Sequence, residues 1–195
     1  MKDRLPSSGK RGRVFFEGRI MGEGDIRRII TRLAHEIVEK HKDISDLVLI
    51  GIHTRGVPLS KRLKEVIKEI KGVDIPTGSL DISFYRDDIP FKEHPPPTHP
   101  TEIPFDLTGR EVILVDDVLY TGRSIRAAMD ALMDYGRPKK IELLVLIDRG
   151  HREIPIRADY VGKNIPSSYT DDVRVLLREV DGRDEVIILR RGDEG

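Results

Sequence analysis

Residues 112–124, VILVDDVLYTGRS, set an apolar run against two adjacent carboxylates, Asp116 and Asp117, and then a short Thr121-Gly122-Arg123-Ser124 turn. Such a stretch could bind a polyol and a phosphate. Carboxylates at the end of a buried strand are costly unless they bind something. Neighbouring side chains on extended backbone point apart. The pair therefore suits two separate hydroxyls, such as a ribose 2,3-diol, better than one chelated metal, with Mg2+ reaching it through the substrate. Thr121 to Ser124 would open a helix, where amide N–H groups lack helical partners and the dipole is positive, so an anion fits. The two hydroxyls add donors, and Gly122 lets a phosphate approach the backbone. The P-loop pattern is absent, because its earlier glycine and its Gly-Lys-Ser/Thr ending are missing. A plain helix cap and a solvated loop with capping aspartates would use the same residues. This stretch alone leaves those readings open.

The surrounding pattern places the stretch. Ile26, Ile29, Ile30, Leu33 and Ile37 share one helical face, with Asp25 as the cap. DLVLIGI (46–52) is a short buried strand, and Leu59, Leu63, Val66, Ile67 and Ile70 repeat at helical spacing up to Gly72. IPTGSLDISFY (75–85), EVILV (111–115) and IELLVLI (141–147) read as strands. Residues 124–135 read as a helix stopped by Gly136 and Pro138, and shorter strands are expected near 174–178 and 186–190. Strands alternating with helices predict an α/β domain with a mostly parallel sheet. The aspartates then lie at a strand's carboxyl end, where such sheets bind ligands. Residues 1–13 form a basic arm, leaving 14–195 as one domain. Residues 86–106, RDDIPFKEHPPPTHPTEIPFD, carry no apolar period, and a loop that long is usually functional or disordered.

Composition excludes several classes. The 195 residues contain no cysteine, which removes disulfides, thiolate zinc sites and thiol nucleophiles. No apolar run approaches the roughly 20 residues that span a bilayer, and no leader is visible, so a cytoplasmic protein without membrane contact is expected. Net charge is zero, so a polyanion partner must find a local basic patch. High charge content with one asparagine and no glutamine resembles thermophile usage.

VILVDDVLYTGRS resembles the signature of the type I phosphoribosyltransferases, which bind phosphoribosyl pyrophosphate (PRPP). GIHTRGVPLSKRL, LDISFYRDD and LIDRGHREIPIRADYVGKNIP are similar to segments of the branch that makes UMP from uracil and regulates pyrimidine operons. With the helix IRRIITRLAHEIVE, the likeness covers about residues 25–190. It implies the type I phosphoribosyltransferase fold: a mostly parallel sheet flanked by helices, a small base-binding hood and a flexible flap at 86–106 that excludes water from the reacting centre. It implies that Asp116, Asp117, Val118, Leu119, Tyr120, Thr121, Gly122, Arg123 and Ser124 bind PRPP. Thr54, Arg55 and Gly56 would hold its pyrophosphate, often through a cis peptide before the position of Arg55, although HTRG alone reads as a surface turn. Arg55 and Arg86, at the root of the flap, would join the aspartates at the reacting centre, with Mg2+ as cofactor.

The base would meet Asp148, Arg149, Tyr160 and Val161. Purine-specific members carry a lysine before the arginine, whereas Asp148 is an acceptor, which favours uracil. Tyr160 would stack on the base and the Val161 backbone would pair with its edge, with ordinary core packing as the rival reading of Tyr160. Purine members also place an aspartate at the position of Tyr120. A phenol cannot serve as a base near neutral pH, so no dedicated general base is expected. Arg28, Thr31, Arg32 and His35 lie opposite the apolar stripe of the first helix, and Arg152, Arg157 and Lys163 add positive charge. From the residues these are a solvated face; the resemblance implies an RNA-binding surface for a pyrimidine-operon mRNA hairpin, controlled by UMP or UTP, in a homodimer or homotetramer. The alternative is a phosphoribosyltransferase for a purine or orotate without an RNA role.

Overall fold

The computed structural model describes residues 14–85 and 99–191. The basic arm, Arg86 and most of the predicted flap lie outside the described residues. The elements run β1 (Val14–Gly22), α1 (Glu23–Lys40), β2 (Leu47–Ile52), α2 (Gly56–Lys71), β3 (Thr77–Leu80), β4 (Glu111–Leu119), α3 (Arg123–Leu132), β5 (Lys140–Asp148), β6 (Tyr160–Asn164), β7 (Asp172–Leu176), α4 (Arg178–Asp181) and β8 (Glu185–Arg191).

Five parallel strands in the order β3-β2-β4-β5-β6 form the main sheet. Its central strands are apolar on both faces, as a parallel sheet sandwiched by helices requires. Along β4, Ile113 and Val115 enter the core under α1 and α2, while Val112 and Leu114 enter the core under α3. Leu144 and Leu146 of β5 alternate with Leu143 and Val145 in the same way. The two cores are thus the two sides of one pleated sheet. The smaller sheet, antiparallel in the order β1-β8-β7, is the hood. Its β1 was not expected from the pattern of residues 14–22.

Helix boundaries follow local chemistry. Gly22 is the N-cap of α1, and Asp25 lies in the first turn, where its carboxylate accepts the Gly22 N–H at 3.0 Å. Asp25 was expected at the cap itself. It supplies instead the back-bonding half of a capping box, and a negative charge in the first turn suits the dipole. Gly72 ends α2 with φ 70°, a left-handed turn that disfavours other residues. The helix predicted over 124–135 becomes α3 and a 3-10 turn at Met133–Tyr135.

Candidate active site

Asp116 and Asp117 sit at the carboxyl end of β4, facing the loop that enters α2. That loop approaches closely: a Cβ on Gly56 would stand 2.2 Å from the Val115 carbonyl oxygen, so only glycine fits. The aspartates were expected to diverge. In the structure their carboxyl groups share a hydrogen bond. Burial pushes the Asp117 carboxyl up, opposed by that hydrogen bond and by the nearby charge of Arg55. Asp117 is therefore poised to gain from a cationic or hydroxyl partner. The cis peptide lies between His53 and Thr54, one bond before the expected position.

Beyond β4, Gly122 takes φ 93° and serves as N-cap of α3 without a side-chain cap. Thr121 Oγ1 accepts the Arg123 N–H over a long 3.4 Å. The start of α3 thus retains its dipole with little local compensation, which favours an anion. The Arg123 side chain turns away to Glu153, at 2.7 Å.

The stems of the predicted flap are tied together. Thr101 Oγ1 accepts the Asp81 N–H at 3.0 Å, Asp81 accepts the His99 N–H at 2.6 Å, and Ser79 bridges Glu102. The described residues on either side, 79–81 and 99–102, are thus held together beside the carboxyl end of β3.

A cluster of rings borders the other side. Tyr120, His151 and Tyr169 have centroid separations of 5.8 to 6.2 Å, and the Arg149 guanidinium lies 4.1 Å from the centre of the Tyr120 ring. Arg149 is buried and also donates to Ser167 Oγ and the Ser168 carbonyl, so it braces the loop carrying Tyr169. Tyr169 is 60% exposed, which leaves much of its ring open to solvent beside Tyr120. Asp148 accepts the Gly150 N–H and pairs with Arg152. Burial and the Tyr169 contact raise the Tyr120 phenol above its ordinary value, keeping it neutral.

An uncapped helix start, a carboxylate pair and an arginine-bearing loop thus meet at the carboxyl ends of the strands. The family model described as "Phosphoribosyl transferase domain" matches residues 23–177. The chain is 55% identical over 177 residues to the "Bifunctional protein PyrR" of Pelotomaculum thermopropionicum, covering 91% of this chain and 98% of that protein. It is 59% identical over 167 residues to the protein of that name from Deinococcus deserti, covering 86% and 91%. The chain belongs to the PyrR branch of the phosphoribosyltransferases. The hypoxanthine phosphoribosyltransferase of Trypanosoma cruzi has the same fold, with a TM-score of 0.68 at 20% identity over 89% of this chain and 97% of that one.

Within this phosphoribosyltransferase, Thr54, Arg55, Gly56, residues 116–124, Asp148 and Arg149 gather at the strand ends. Tyr160 and Val161 do not. Tyr160 begins β6 and pairs in register with Leu144, whereas Asn164 pairs with Asp148 at the site edge. Four residues of strand separate the two, about 13 Å. The Tyr160 ring is buried under α1, and its hydroxyl meets His41 and Glu142. Its core-packing reading holds. The Val161 carbonyl accepts from Arg32, so it is already engaged on the side of α1.

Of the basic residues, Arg28, Arg32 and Lys163 line one 260 Å3 cleft with Asp25, Ile20, Met21 and Ile29. Thr31, His35 and Arg157 are exposed. Arg152 is not on this surface: its guanidinium is tied to the Ile156 and Tyr120 carbonyls and to Asp148, which locks the loop after β5. The residues missed from sequence are Tyr169 and Asp181. An aromatic isolated in the polar run SSYTDD was the available signal for Tyr169; Asp181 had none.

Proposed function

We propose that the chain joins uracil to the ribose of PRPP, giving UMP and pyrophosphate, and that it regulates a pyrimidine operon by nucleotide-dependent binding of an mRNA hairpin. The observation that carries the first role is the convergence of Asp116, Asp117, the start of α3 and the Arg55 loop beside the Tyr120–Tyr169 rings. The 5-phosphate lies at residues 121–124, the ribose diol on the aspartates and the pyrophosphate against residues 54–56. Uracil N1 bonds to the ribose C1 as the bond from C1 to the pyrophosphate oxygen breaks, and the N1 proton leaves to solvent. Orientation supplies much of the rate.

Among the described residues no three His, Asp or Glu side chains converge into a metal cage. The donor set fits Mg2+ carried on the substrate, with Asp116 and Asp117 near it. When bound, Mg2+ neutralises charge on the departing pyrophosphate.

Pyrophosphate release with uracil, orotate and hypoxanthine as rival bases tests the reading; uracil should be used and the other two ignored. Preference for hypoxanthine or orotate would replace it with the second phosphoribosyltransferase reading. Two ring variants refine the test. Tyr120→Phe should keep most of its activity, because a phenol held neutral cannot accept the uracil proton as a base; a loss of about 10²-fold or more would assign it acid–base work. Tyr169→Ala should lower kcat/KM for uracil by about tenfold, since base–aromatic stacking contributes about 1–3 kcal/mol.

The second role rests on the basic cleft beside α1. Its apolar floor and three cationic side chains suit an unpaired base and its phosphates. Arg28→Ala with Lys163→Ala should weaken binding of a pyrimidine-leader hairpin and flatten its salt dependence by about 0.7–0.9 log units per lost contact. UMP formation should remain at the parent rate. Equal affinity of variant and parent at two salt concentrations would leave this face merely solvated.

A further inference from the structure

We propose that Asp181 is a positioning residue: it grips Arg55 from the far side and holds its guanidinium toward the pyrophosphate of PRPP. The inference rests on the reading of residues 54–56 as the pyrophosphate loop. Arg55 precedes α2, beyond the carboxyl end of β2, while Asp181 ends α4 in the hairpin between β7 and β8. The two meet as a fork. Arg55 Nε donates to Asp181 Oδ2 at 3.0 Å and Nη2 to Oδ1 at 2.7 Å. A bidentate guanidinium–carboxylate pair fixes direction as well as distance.

The partners are unequally anchored. Asp181 is held by its own helix, accepting the Leu177 N–H at 2.8 Å, and its side chain is 17% exposed. Arg55 has a long side chain on a tight loop, and a free arginine would sample many rotamers. With Nε and one Nη2 hydrogen committed, the donors of Nη1 remain for a second anion. Asp117 also acts electrostatically on Arg55, so the loop lies within charge reach of the β4 carboxylates.

Docking of the hairpin does not need this pair. Arg62 of α2 already holds it through Glu179 at 2.6 Å and Asp184 at 2.7 Å. The Asp184 carboxylate also accepts the Arg178 N–H at 2.7 Å. Arg55–Asp181 is therefore a second clasp between the same elements, and what distinguishes it is the loop it orients.

The test is a double-mutant cycle read by calorimetry with pyrophosphate and Mg2+, alongside steady-state kinetics. Asp181→Asn should weaken pyrophosphate binding and raise KM for PRPP by about tenfold, the worth of one charged hydrogen-bonded contact. KM for uracil should not change. In an Arg55→Ala background the same substitution should have no further effect, because Asp181 acts only through Arg55. Asp181→Glu, which keeps the charge, should recover part of the loss. Asp181→Ser retains an acceptor for the Leu177 amide and serves if the asparagine variant folds poorly. An equal loss with and without Arg55 would make Asp181 purely structural and overturn the proposal. Unchanged pyrophosphate affinity would overturn it as well, and tighter binding would make the clasp an inhibitory lock. If the parent binds pyrophosphate but makes no UMP, the uracil assignment fails while the cycle still decides the role of Asp181.

Discussion

Asp116→Asn combined with Asp117→Asn should abolish UMP formation, by about a thousandfold or more, since groups that bind the reacting ribose act mainly in the transition state. The fold should survive. Asparagine matches aspartate in shape, and burial already drives the Asp117 carboxyl toward its neutral form. A carboxyl raised in this way stabilises the folded state least at neutral pH, where ionisation is demanded of it. The melting temperature at pH 7 should therefore hold or rise. Turnover by pyrophosphate release and melting by circular dichroism measure the two halves. Turnover within about threefold of the parent would remove the aspartates from the ribose, because even one lost charged contact exceeds that.

Glu142→Gln should destabilise the chain by about 3 kcal/mol at pH 7, the range expected when one member of a buried ionic network is removed. Glu142 is 2% exposed near the amino-terminal end of β5, away from the candidate site. Lys40 lies 2.5 Å and Lys140 2.9 Å from one of its oxygens, and His41 Nε2 lies 2.6 Å from the other. His41 Nδ1 meets Glu111 at 2.9 Å, so the ring joins two carboxylates. Burial alone would raise the Glu142 carboxyl, but the lysines and His41 bring it down to about 2 from an ordinary 4.5. For a depressed carboxyl the stabilisation is complete above about pH 4.5 and fades as pH falls toward about 2. The gap between parent and variant should narrow by about 1 kcal/mol between pH 7 and pH 3.5, from the same linkage. Urea unfolding at both pH values measures it. A pH-independent gap would mean that lost packing, not charge, carries the effect.

This network also explains why Tyr160 was read two ways. No strand was expected over residues 160–164, and the distance from a strand residue to the site edge is set by register with β5. Four residues along β6 separate a core tyrosine from the ligand edge, and no local signal encodes that offset. Tyr169 reached the edge through a loop braced by Arg149, which depends on contacts between separate chain segments.

What the amino-acid sequence determined by itself is what short-range chemistry controls. Apolar spacing of 3.6 residues and continuous apolar runs set the helices and the main strands, and VILVDDVLYTGRS announced a strand, a carboxylate pair and a helix start. Gly72 marked the end of a helix and Gly122 the turn that opens another. Only the tertiary structure decided how these pieces share charge. Arg152 was legible as a cation but is consumed by the carbonyls of its own loop, and Arg55 faces an aspartate 126 residues away. Coulombic and hydrogen-bond energies depend on separations of a few ångströms. Those distances arise when the β7–β8 hairpin closes over α2, and a linear pattern carries no record of them.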